Sequence, residues 1–177
     1  CIEENPKVVE ELDNTQDAMA VEGTGTDIEL LKEIGMEKID FCVACTGSDE
    51  INALTCISAK KLGAKHTISR ILNQDHNTPG ARFLKDEFKI ELLVNPMYQT
   101  AKAIHNIIKR EVRKGDIMLL GATQINVYLS RMLHKDGIYD VKIIDNNQKL
   151  LEKLAAVLPE DILLCNGDCA DHNVLIS

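Results

Sequence analysis

Two carboxylates hold matching places in this chain. Glu3 closes the apolar pair Cys1-Ile2, and Asp145 closes the run Val141-Lys142-Ile143-Ile144. A helix-forming stretch follows each: Ile2-Glu3-Glu4-Asn5-Pro6-Lys7-Val8-Val9-Glu10-Glu11-Leu12 returns as Ile144-Asp145-Asn146-Asn147-Gln148-Lys149-Leu150-Leu151-Glu152-Lys153-Leu154. A polar turn then closes each copy, Glu22-Gly23-Thr24-Gly25-Thr26-Asp27 returning as Asn166-Gly167-Asp168-Cys169-Ala170-Asp171. The offset grows from 142 to 144 residues, a two-residue loop insertion. Strand, terminal acid, amphipathic helix, strand and Gly-Asp turn make up the later part of a mononucleotide-binding β-α-β unit. An acid in that place accepts hydrogen bonds from ribose hydroxyls. The plainer alternative for Glu3 and Asp145 is a solvated acid at a strand end.

Other candidates gather around these acids. Gly23, Thr24 and Gly25 form a turn that lets backbone come close to a ligand, with Thr24 offering a hydroxyl. Asp27 reads better as a helix cap than as a contact. Thr46-Gly47-Ser48 stands between an apolar run and a helix start, where N–H groups and the helix dipole favour phosphate. Asp49 and Glu50 oppose an anion there unless they turn outward, and simple capping by Ser48 is the competing reading. Arg70 closes another strand and could grip phosphate as a planar fork, or form a surface salt bridge. The phosphate fingerprint G-x-G-x-x-G is absent from residues 1–109, which lack the first strand and turn of such a unit. In the second copy it survives as Gly121-x-Thr123-x-x-Asn126. Thr123 replaces the glycine of close approach, and Asn126 the glycine that packs helix on strand.

No residues are arranged as a catalytic machine. The five histidines are scattered, and no Ser, Cys or Lys stands beside a base. Cys42 and Cys45 form a C-x-x-C, but on a strand positions i and i+3 face opposite ways. They read as small buried residues rather than as a metal or redox site. All six cysteines read as reduced thiols of a cytosol.

Composition narrows the field. The net charge of −8 argues against nucleic acid as a partner. No apolar run approaches the ~18 residues a span requires, so direct membrane insertion is not expected. Aromatics are 3% and Trp is absent, so the core must be aliphatic. The chain opens inside a strand and without Met, as expected of a piece of a longer protein.

The elements that position these residues alternate in type. Strands are predicted at Cys1-Ile2, Met19–Val21, Ile39–Cys45, His66–Ile71, Leu92–Val94, Ile117–Leu120 and Val141–Ile144. The run Ile39–Cys45 is apolar enough for a strand covered on both faces. Helices are predicted from Pro6, from Asp27 to Gly35, from Ser48 to Gly63, around Phe83–Phe88, from Pro96 and around Val127–Leu133. Residues 77–80 read as a loop. The charged stretch 109–115 is the clearest boundary. The expected class is therefore α/β: a Rossmann-like parallel sheet with helices on both faces, in two partial tandem copies. Residues 1–109 hold the first lobe, with a helix over 96–109, and 116–177 begin a second.

Read together, strand–Glu3, G-T-G-T-D (23–27), A-C-T-G-S-D-E-I-N (44–52), A-K-K-L-G (59–63), I-S-R-I (68–71) and L-V-N-P (93–96) resemble the RCK/KTN (TrkA N-terminal-like) domain. The match covers residues 1–108, and 116–177 resemble the start of a second such domain. The resemblance implies a non-enzymatic, nucleotide-sensing regulatory subunit of a Trk/Ktr potassium uptake system, cytoplasmic and peripheral to the inner face of the membrane. It implies NAD(H) or ATP/ADP as ligand, with Glu3, Thr24, Thr46 and Arg70 as contacts. It implies a membrane-embedded potassium transporter subunit as partner, and dimers assembled into a ring. The helix from Pro96 would be a crossover helix packing on a partner subunit. The family's small C-terminal lobe, expected after that helix, is missing before the second lobe begins. An NAD-dependent oxidoreductase is one alternative. The cytosolic gating domain of a potassium channel or efflux system is another.

Overall fold

The computed structural model describes residues 1–15, 17–72 and 79–171. The chain divides into two compact units, Cys1–Pro96 and Met97–Ser177. In the first, β1 (Ile2–Glu3), α1 (Pro6–Thr15), β2 (Val21–Glu22), α2 (Ile28–Glu33), β3 (Phe41–Ala44), α3 (Asp49–Leu62), β4 (His66–Arg70), α4 (Pro79–Phe88) and β5 (Leu92–Val94) follow one another. A 3-10 turn, Met36–Lys38, precedes β3. Every strand pairing is parallel, and the strands form two sheets, β1-β2 and β3-β4-β5.

Local chemistry fixes the ends. Asp27 accepts from the N–H groups of Glu29 and Leu30 and so starts α2. The Ser48 hydroxyl accepts from Ile51 N–H at 3.2 Å and starts α3. Gly63 ends α3 at φ 111°, a left-handed conformation that glycine adopts without strain. The strand expected at Met19–Val21 lies slightly later, because the Asp13 carboxylate takes the Ala20 N–H at 3.0 Å and holds the approach as a loop. Of the loop expected over 77–80, residues 77 and 78 lie outside the described residues, and Pro79-Gly80 open α4.

Within this unit Ala44, Cys56, Ile71, Ala81, Ile90 and Leu93 form one core. Leu31, Met36, Ala59 and Ala64 form a second. The expected burial of Ile39–Cys45 on both faces is met on one. Ala44 is buried, whereas Phe41 and Val43 are 61% and 57% exposed.

The second unit holds most of α5 (Pro96–Glu111), then β6 (Gly115–Leu120), α6 (Gln124–Asp136), β7 (Tyr139–Asp145), α7 (Gln148–Ala155) and β8 (Leu163–Asn166). Its sheet is parallel in the order β6-β7-β8. The charged stretch 109–115 does not divide the units. Part of the apolar stripe of α5 packs within the second unit: Ala101 is fully buried, and Ile104 and Ile108, with Val112 just after the helix, pack on the core of Leu129, Leu133, Val141 and Ile143, whereas Ile107 is 51% exposed. The Tyr139 hydroxyl donates to the Val112 carbonyl at 2.7 Å, which ties the end of α5 to β7.

Candidate functional site

Three strand ends of the first unit meet at one groove of about 780 Å³. Glu3 ends β1, Gly23, Thr24 and Gly25 follow β2, and Thr46 and Gly47 follow β3; all line it. Carboxyl ends of parallel strands are where open α/β sheets bind ligands. The Gly23 N–H donates to the Glu3 carbonyl at 3.0 Å, which fixes the two β-strand ends side by side. The Glu3 carboxylate accepts from Asn5 N–H at 2.9 Å through one oxygen. Thr24 and Thr26 hydroxyls lie 3.1 Å apart.

Gly25 is required by space. A Cβ there would stand 2.7 Å from Thr55 Oγ1 and 2.8 Å from its Cγ2. Thr55 itself lines the groove from α3, and its buried hydroxyl has no hydrogen-bond partner among the described residues. The sequence reading did not single out Thr55; only its helical position, on the α3 face below Ser48, could have suggested it.

The turn after β3 is held by a residue that also escaped the sequence reading. Asn52 is fully buried. Its side-chain oxygen accepts from Thr46 N–H at 2.7 Å, and its amide donates to the carbonyls of Thr46 at 3.2 Å and Arg70 at 3.1 Å. One side chain therefore clamps the Thr46 turn to the end of β4. Nothing in the sequence marks Asn52 as buried, and burial is what obliges such a group to be paired.

Ser48 and Arg70 do not line the groove. Ser48 is the cap of α3, and its hydroxyl donates to Glu50 at 2.7 Å. That bond, with the backbone N–H of Glu50, holds the Glu50 carboxyl below the usual carboxylate range. Arg70 donates through Nη2 to the Thr46 carbonyl, and its buried Nε has no partner among the described residues. Asp49 accepts from Leu72 N–H at 2.8 Å, toward the end of β4. Neither Asp49 nor Glu50 lines the groove. Cys42 lines the groove and Cys56 is buried; the hydrogen bond with the Cys42 thiol, and then burial, push the Cys56 thiol up, so Cys56 stays protonated.

In the second unit Gly121 and Asp145 come together, but on each other's behalf. The Asp145 carboxylate accepts from Ala122 N–H at 2.7 Å and from Asn147 N–H at 2.8 Å. These two bonds hold its carboxyl below the usual range. Asn126 donates to the carbonyls of Leu120 at 3.0 Å and Gly121 at 2.8 Å, while the Thr123 hydroxyl caps α6. The turn that would hold a phosphate is closed by its own side chains.

The TrkA-N domain family model matches residues 1–96. A Trk system potassium uptake protein TrkA homolog from Methanothermobacter thermautotrophicus is 32% identical over 108 residues, covering 59% of this chain and 46% of that protein. A homolog from Methanosarcina mazei is 36% identical over 115 residues, covering 65% of this chain and 25% of that protein. The chain thus spans less than half the length of these relatives. Among solved structures, GsuK bound to ADP matches 99% of this chain and 42% of its own at a TM-score of 0.70 and 16% identity. The GsuK channel bound to NAD matches 99% and 45% at 0.68 and 11%. At such identities the likeness is one of fold.

Proposed function

Residues 1–96 make this chain a member of the TrkA-N domain family, and from that membership we propose that it is a nucleotide-sensing regulatory part of a potassium transport system. One observation carries the reading. Glu3, the Gly23–Gly25 turn and the Thr46–Gly47 turn come from three strands and converge on one groove. In this reading Glu3 accepts from ribose hydroxyls. The glycines let adenosine lie against backbone, and Thr24 and Thr46 supply polar contacts. The ligand is NAD(H), ATP or ADP. Arg70 acts from behind, by holding Thr46 in place.

The chain senses the nucleotide and does not transform it. Among the described residues lining the groove there is no His, Lys or Tyr to exchange a proton during hydride transfer. The partner is a membrane-embedded potassium transporter subunit of the Trk/Ktr type, met at the cytoplasmic face by a homo-oligomeric ring. No helix among the described residues is long and apolar enough to cross a membrane. A nucleotide can shift such an assembly only through unequal affinity for its two arrangements. The likeness to the GsuK channel favours a second reading, the cytosolic gate of a potassium channel. Calorimetry on the full-length protein with NADH, NAD, ATP and ADP tests the shared core of both. Binding of at least one is expected, and silence with all four would refute it.

A further inference from the structure

A second, smaller cavity of about 310 Å³ lies where β5 begins, at the end of the β3-β4-β5 sheet away from the groove. Lys60, Lys85 and Lys89 line it, together with Glu91 and the fully buried Ile90. The carboxylate does not balance the lysines. Glu91 accepts from Lys60 at 2.7 Å through one oxygen and meets His66 Nδ1 through the other. Lys60 is fixed further by a bond to the Lys65 carbonyl. Among the described residues Lys85 and Lys89 enter no ion pair, although Lys85 is half-buried. Lys60 and Lys85 stand in the last turns of α3 and α4, where the helix dipole favours a cation. Lys89 lies beyond α4 and has no such reason to be there.

Its backbone makes the point sharper. Lys89 has φ 59°, and among the described residues it alone takes a positive φ without being glycine. The other helices that close this way, α2, α3 and α6, do so with Gly35, Gly63 and Gly137. A side chain on left-handed backbone costs free energy that glycine avoids. The Thr67 hydroxyl, fully buried, donates to the Lys89 carbonyl at 3.4 Å and helps hold the turn. Strain kept where glycine would serve argues for a use of the side chain. We propose that this cavity binds a small phosphate-class anion of two or more charges, held by Lys85 and Lys89 beside the anchored Lys60. Ammonium groups bind phosphate as point charges. The volume is at the lower bound of small-molecule pockets, so it suits a phosphate or pyrophosphate group and not a dinucleotide. The carbonyl ends of α3 and α4 disfavour an anion, so the binding rests on side chains and weakens with salt.

None of these residues lines the larger groove, so the inference stands apart from nucleotide binding. Calorimetry of the full-length protein with inorganic pyrophosphate at low salt tests it. Saturation at or below about millimolar concentration is expected. Lys85→Gln should weaken binding at least about tenfold, through loss of a charge-assisted hydrogen bond. Lys89→Gly should weaken it as much while resistance to denaturant stays equal or rises, because glycine relieves the backbone. Affinity for NADH and ADP should be the same in both variants as in the parent. Vesicles of phosphatidylcholine with and without phosphatidylglycerol identify the source of the anion. Capture by the anionic vesicles that both variants lose marks a lipid headgroup, and pyrophosphate binding without capture marks a free anion; either supports the site. Silence with both probes, or pyrophosphate binding of unchanged strength in both lysine variants, would overturn the inference.

Discussion

Removing the Asn52 side chain tests whether one buried amide sets the geometry of the site. In Asn52→Ala, Thr46 N–H loses its 2.7 Å acceptor and the Arg70 carbonyl loses a 3.1 Å donor. The Thr46 carbonyl keeps Arg70 as a partner. An orphaned buried polar group costs about 1–3 kcal/mol. Thr46 is exposed, so water recovers part of its loss, whereas Arg70 is half-buried and its carbonyl keeps only a long 3.5 Å bond from the Ser69 hydroxyl. About 1 kcal/mol for the first, 1 for the second and 1 for the vacated volume gives a total of about 3 kcal/mol. That is roughly a hundredfold rise in the opening constant of the first unit, since 1.4 kcal/mol is tenfold. Hydrogen exchange at β3 and β4 reads it directly, with β6 and β7 as the unaffected reference. Nucleotide affinity, measured by calorimetry, should fall at least about tenfold, because the Thr46 turn is no longer held. Asn52→Asp separates clamp from bulk. It keeps an acceptor for Thr46 N–H but sets a buried carboxylate against two carbonyls, which raises its pKa. Its defect should therefore ease as pH falls through that raised value and the carboxyl regains a donor. Unchanged exchange at β3 and β4 in the alanine variant would refute the clamp.

Four shorter predictions follow from the same geometry. Gly25→Ala should destabilise the first unit by about 1–3 kcal/mol through collision with Thr55, and Thr55→Ala should restore most of it; chemical denaturation of the double mutant decides. Glu3→Gln should weaken nucleotide binding about tenfold while leaving denaturation unchanged, and equal affinity would remove Glu3 from the site. Asp145→Asn should cost the second unit about 1 kcal/mol, because an amide has one oxygen for two backbone donors and this site is part-solvated. In the parent chain that contribution is present above the ordinary carboxylate range and lost as pH falls through the lowered Asp145 value, so acid unfolding of the variant should show a shallower limb. Asp136 behaves likewise: burial raises its pKa, but bonds from His105 at 2.8 Å and Lys109 at 3.2 Å outweigh it, and Asp136→Asn should loosen α5 from α6 by hydrogen exchange.

Much of the fold was legible because its signals are local. Asp27, Ser48 and Gly63 mark helix ends by what their own atoms do, and the structure uses each as a cap. The alternation of strand and helix needed no tertiary information. What failed was what depends on neighbours. The stripe of α5 was readable as apolar, but periodicity does not say which core receives it, and it is the second unit's. Ile39–Cys45 read as doubly buried, yet burial of β3 requires a strand at its edge and cover on its second face. Asn52 and Thr55 lay inside a helix and looked like ordinary polar residues. Only the approach of Thr46, and of Arg70 and Gly25 from far along the chain, gives them a role.

The two copies also explain why one acid is offered as a ligand contact and the other is not. Asp145 is one methylene shorter than Glu3, and both its oxygens are taken by backbone N–H groups, one of them from the turn after β6. Asn126 fills the carbonyls of the same turn. Thr123 and Asn126 stand where glycines would leave room, and their side chains stabilise the turn without a ligand. Glu3 keeps one oxygen without a backbone bond, at the lip of an open groove. Duplication supplied two cradles; in one, the carboxylate and turn became structural, so the proposed nucleotide sensing is assigned to the other. Calorimetry should accordingly give one nucleotide per chain, and Glu3→Gln, not Asp145→Asn, should weaken it. A stoichiometry of two, or an affinity that follows Asp145, would show that the closed turn of the second unit opens for ligand.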